Sequence, residues 1–74
     1  MLDTLSLERR MTYERMKDEL AAVERECDEI LGCFEDLGRQ PTAAEREARR
    51  LAYLENRARH REVGNQLLDL SRLL

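Results

Sequence analysis

Two cysteines, one histidine and a dense set of carboxylates and arginines are the chemistry-bearing side chains of this 74-residue sequence. A thiol beside an imidazole could serve as nucleophile and base. Cysteine and histidine together could hold zinc. Paired carboxylates could divide acid and base roles. The spacing supports none of these. Cys27 and Cys33 are six residues apart, about 120° apart in azimuth on a helix, and zinc sites use shorter spacings with two further ligands. Both read as reduced thiols, Cys27 as a small apolar residue and Cys33 nearer an outer face. His60 has no serine or cysteine at a spacing that would make it a catalytic base, and it reads as a surface histidine. Glu24, Glu26, Asp28 and Glu29 read as a solvated exterior rather than a tuned pair in a cleft. No glycine-rich phosphate loop and no nucleophile motif is present. The expectation is a protein without catalytic activity, metal or cofactor.

The arginines offer a second kind of chemistry. Arg46, Arg49, Arg50, Arg57, Arg59 and Arg61 fall in one segment, and an arginine-rich helix can fork onto phosphates. Glu45, Glu47, Glu55 and Glu62 are interleaved with them, Tyr53 is the one aromatic residue among them, and the whole chain carries a net charge of −3. Nucleic-acid binding is therefore the alternative reading, and pairing with an acidic neighbouring helix is the preferred one.

Such side chains must be carried by helices. Charged residues make up 39% of the chain and apolar residues 42%, with Leu, Ala, Glu and Arg dominant, which is the composition of long amphipathic helices. No apolar run approaches the length of a membrane span. One proline and three glycines are too few for a turn-rich β fold. The N-terminus lacks the basic patch and apolar run of a signal peptide, and the two thiols suit a cytoplasmic setting.

The strong punctuation is Leu37-Gly38-Arg39-Gln40-Pro41-Thr42. Gly38 suits the left-handed position that closes a helix, and Pro41 cannot continue one. Thr42-Ala43-Ala44-Glu45 has the form of a capping box. Before the turn, Tyr13, Met16, Leu20, Val23, Cys27, Ile30, Phe34 and Leu37 alternate spacings of three and four, a heptad seam. Gly32 lies inside that run, and the helix is expected to continue through it because Phe34 and Leu37 keep phase. The expected organisation is a single hairpin over residues 1–74, with a helix over about 4–37, a turn at 38–42 and a helix over about 43–73.

In the second helix the expected inner stripe is Ala44, Ala48, Leu51, Leu54 and Ala58. Folded back about the turn, this sets Leu37 near Ala44, Phe34 near Ala48, Ile30 near Leu51, Cys27 near Leu54 and Val23 near Ala58. From Val63 onward the apolar residues Val63, Leu67, Leu70 and Leu74 lie about a third of a turn away, with Gly64 at the changeover. Either the helix kinks at Gly64 or its last third faces another surface.

The charges also divide. Residues 1–37 hold five basic against eleven acidic side chains, and residues 38–74 hold eight arginines against five acids. This complementarity favours antiparallel pairing, more through register than through stability, since exposed ion pairs contribute only about 0–1 kcal/mol each.

The fold class expected is thus an all-α, antiparallel two-helix hairpin, assembling into a dimeric helical bundle because one hairpin of this size buries little. The function expected is non-enzymatic binding of another protein, of adaptor, co-chaperone or small-inhibitor type, with self-association. The expected anchors are Leu67, Leu70, Leu73 and Leu74, with Tyr13 and Met16 beside them.

Overall fold

A computed structural model describes residues 4–73. Two helices pack against each other: α1, Thr4–Gly32, and α2, Ala43–Leu73. The molecule is a rod measuring 63 × 18 × 12 Å.

The seam expected on α1 is the one observed. Val23 and Cys27 are buried, and Tyr13, Met16, Leu20, Ile30, Phe34 and Leu37 are half-buried. The helix itself stops earlier than expected, at Gly32 rather than Leu37. From there the backbone bonds shorten to the i→i−3 type: Cys33 N to Ile30 O, Glu35 N to Gly32 O and Leu37 N to Phe34 O. Glycine is a weak helix former, and tightened turns of this kind are common where α-helices end. Phe34 and Leu37 still reach the seam, so the apolar spacing survives the change of ladder that it was expected to exclude.

Gly38 has φ of 72°, the left-handed conformation anticipated for it, and it closes this tightened segment rather than the α-helix. The capping box forms in full. Glu45 N donates to Thr42 Oγ1 at 3.1 Å, and Thr42 N donates to Glu45 Oε1 at 2.9 Å. Arg39 adds a two-pronged contact on the Glu45 carboxylate, at 2.8 and 2.9 Å.

On α2 the inward face is not the expected one. Ala44, Ala48, Leu51, Leu54 and Ala58 are exposed. The residues turned toward α1 are Arg49, Ala52, Tyr53, Asn56, His60, Val63, Leu67 and Leu70, all buried or half-buried. That face is displaced from the expected stripe by one residue, a rotation of about 100°. The expected cross-pairs change with it: Phe34 lies under the Arg49 guanidinium rather than Ala48, and Val23 meets Asn56 rather than Ala58.

The rotation also removes the reason for a kink. Asn56, Val63, Leu67 and Leu70 form one continuous inward stripe, and α2 runs through Gly64 as a single helix. What changes along α2 is its apolar content: mainly outward in the first half, and inward at Val63, Leu67 and Leu70 in the second, where Leu68 and Leu73 stay exposed.

Candidate functional site

The centre of the hairpin is polar. Asn56 is fully buried, with 0% exposure, and the other buried side chains among the described residues are the apolar Val23, Cys27 and Val63. Its Nδ2 donates to Val23 O at 2.8 Å and to Glu26 Oε1 at 3.2 Å. Its Oδ1 accepts from Arg57 Nη2 at 3.0 Å. Two acceptors on one side and a guanidinium on the other leave only one orientation of the amide that satisfies all three contacts. Arg59 also pairs with Glu26, so that carboxylate ties two residues of α2 to α1. Arg57 Nε, by contrast, is buried without a partner.

A shallow groove of about 350 Å³ flanks this centre, lined by Glu24, Cys27, Asp28, Arg57 and His60. Antiparallel packing brings Cys27 and His60 to one groove although they are 33 positions apart in the chain, a proximity that local spacing does not reveal. His60 Nε2 lies 3.5 Å from Glu24 Oε1. Cys27 is a buried free thiol and Cys33 an exposed one. Among the described residues no group of three or more His, Cys, Asp or Glu side chains could hold a metal ion.

The arginines of the second helix are largely committed to their own chain. Arg46 Nη1 donates to Pro41 O at 2.8 Å. Arg49 lies 4.6 Å over the Phe34 ring, and Arg57 lies 5.7 Å over Tyr53. Arg50 forks onto Glu47 at 2.9 and 2.7 Å, and Arg59 holds Glu26. Two carboxyls respond to these contacts. Hydrogen bonds from Arg39 and then from the Thr42 backbone hold Glu45 down at about 2. A hydrogen bond from Arg50 lowers Glu47. Arg46, Arg50, Arg57 and Arg61 nevertheless fall along one edge of α2, with Tyr53 between them.

The tail residues divide. Leu67 and Leu70 are half-buried on the face turned to α1, and Leu73 is exposed. Leu74 lies outside the described residues. Tyr13 and Met16 are half-buried on the α1 seam, and Lys17 Nζ lies 5.6 Å from the Tyr13 ring centroid.

Exposed apolar side chains also lie off the hairpin's own seam. Leu7, Met11 and Leu31 do so on α1, and on α2 Leu51 and Leu54 keep 50% and 51% of their surface in solvent, with exposed Ala44, Ala48 and Ala58 extending the same outward stripe. Periodicity found this stripe and assigned it inward. The signal that could have corrected the assignment is Asn56, a residue whose amide can satisfy a polar position inside a helix pair.

No helix among the described residues is long and apolar enough to cross a membrane. No protein-family profile, curated protein or solved structure matches this chain.

Proposed function

We propose that this hairpin is a non-enzymatic, protein-binding module that recognises its partner through helix faces. The supporting observation is the outward stripe of α2, with Leu51 and Leu54 half exposed between small alanines. A stripe of this spacing suits a second helix laid alongside, with apolar anchors in the centre and charged side chains at the rim. An adaptor, co-chaperone or inhibitor role fits such a surface. Leu73, with the half-buried Leu67, Leu70, Tyr13 and Met16, provides a further apolar area toward the open end. Two free thiols support a cytoplasmic setting.

Leu51→Asp with Leu54→Asp tests the reading, because both side chains lie outside the hairpin core. The tagged chain should retain a protein partner through washing, and the double variant should lose it while its helical circular dichroism persists. Equal recovery with both chains refutes the proposal, as does recovery of nothing with either from a chain that is also monomeric.

The second reading, nucleic-acid binding, draws on the Arg46–Arg50–Arg57–Arg61 edge with its interleaved Tyr53. Intramolecular bonding of Arg46 and Arg50 and the adjacent Glu47 weaken it. Salt-dependent retention of DNA or RNA, lost when Arg46, Arg50, Arg57 and Arg61 become alanine, would favour it over protein binding.

A further inference from the structure

We infer that the outward stripe of α2 pairs, in parallel, with the same stripe of a second copy of this chain. The inference rests on the protein-binding reading above and names the partner. The rod exposes 6013 Å², whereas a compact monomer of this mass exposes roughly 4,700 Å². The surplus is about 1,300 Å², enough to supply the ~800 Å² that each partner gives to a standard interface. Only Val23, Cys27, Val63 and Asn56 are buried among the described residues, so the monomer has little core of its own.

The stripe follows a heptad. Ala44, Leu51, Ala58 and Asn65 occupy the a positions, and Glu47, Leu54, Arg61 and Leu68 the d positions. Leu68 is 57% exposed and continues the apolar line past Ala58. The alanines let two backbones approach, with Leu51 and Leu54 forming the central layers. An asparagine at one a position is a known device for fixing register in parallel pairs.

Charge selects the orientation. Arg50 and Arg57 stand at g positions, and Glu55 and Glu62 at e positions. In parallel pairs a g residue faces the next e residue of the other helix. Arg50 then faces Glu55 of the second copy and Arg57 faces Glu62, each twice by symmetry. Arg50 keeps 59% of its side chain in solvent, and pairing across the dimer exchanges the present contacts of Arg50 with Glu47 and of Arg57 with Asn56 for these. Antiparallel pairing would instead bring Arg50 beside Arg57 of the second copy. The like-charged layers at Glu47 and Arg61 oppose association, so the dimer should be reversible and concentration-dependent.

Sedimentation equilibrium of the full chain tests this. The expected result is a monomer–dimer equilibrium that Leu51→Asp with Leu54→Asp shifts fully to monomer, with helicity retained. In a Cys33→Ser background, Ala58→Cys should form an interchain disulfide on mild oxidation, because residue 58 meets its own copy only in the parallel register. A chain that stays monomeric at millimolar concentration overturns the inference. A dimer indifferent to the aspartates, or one that Ala58→Cys fails to cross-link, overturns it as well. A monomer that still holds another protein through Leu51 and Leu54 overturns the second copy alone and leaves the broader proposal standing.

Discussion

Asn56 and Val23, 33 positions apart in the chain, are joined by a 2.8 Å hydrogen bond from a buried side-chain amide to a helix carbonyl. The carbonyl belongs to α1 and the amide to α2, so the bond sets both the level and the rotation at which the helices meet. Glu26 and Arg57 use the remaining valences of the amide.

This arrangement makes Asn56→Asp far worse than its size suggests. The carboxylate would face the Val23 carbonyl and the Glu26 carboxylate with no proton to offer. Leaving buried polar groups unsatisfied costs about 1–3 kcal/mol, and more where charge is involved, so urea unfolding should show a loss of about 3 kcal/mol. A loss within 0.5 kcal/mol of zero would mean that the amide is not the clamp described.

Asn56→Leu should behave in the opposite sense. A buried asparagine in a helix pair specifies register at a cost in stability, so an apolar side chain of similar volume in its place releases that cost. The variant should unfold at equal or higher urea concentration, yet show broadened amide resonances along the seam. Sharp resonances identical in pattern to those of the parent would remove the case for Asn56 as the register residue.

Glu45 should leave a signature in acid. Its folded value, about 2, lies below the ordinary 4.5. A depressed carboxyl contributes stability that is fully present above its unfolded value and is lost as pH falls through the folded one. The parent should therefore lose stability between about pH 5 and pH 2, and Glu45→Gln should start less stable and lose less over that window. The comparison is read from thermal unfolding at a series of pH values. Parallel curves for the two chains would show that the Arg39–Glu45–Thr42 cluster does not form in solution.

The two glycines of contrasting geometry should respond differently to alanine. At Gly64 an added Cβ meets nothing within 4 Å in a helical backbone, so Gly64→Ala should stabilise by about 1 kcal/mol. At Gly38, with φ of 72°, alanine is strained, and Gly38→Ala should destabilise by about 1 kcal/mol. Thermal melts of the two variants, compared with the parent, check the signs. Equal shifts in one direction would contradict the continuous helix at 64 and the left-handed turn at 38.

Much of the fold was legible in local spacing. The seam is read correctly because its apolar residues and its contact face coincide, from Tyr13 to Ile30 on α1 and through Phe34 and Leu37 in the tightened segment that follows. The left-handed Gly38 and the start of α2 are read correctly because Gly38, Pro41 and the Thr42–Glu45 pair act over a few residues, where chemistry and conformation are tightly linked. The end of α1 is missed by five residues, since i→i−3 bonding after Gly32 keeps Phe34 and Leu37 on the seam and leaves the apolar period almost unchanged.

The sequence alone determined that there are two helices, where they turn, and which side of α1 is inward. Tertiary structure alone decided which side of α2 is inward. Apolar periodicity assumes that the greasiest stripe is the buried one, and that holds when each helix has a single candidate. Here α2 has two, and the polar side wins in its first half. Asn56, Arg59 and His60 find partners on acidic α1 at Val23, Glu26 and Glu24, bonds between residues distant in the chain that no local pattern contains. The displaced stripe of Ala44, Ala48, Leu51, Leu54 and Ala58 is thereby left facing outward, which is why the candidate binding surface came into view only when the two helices were set side by side.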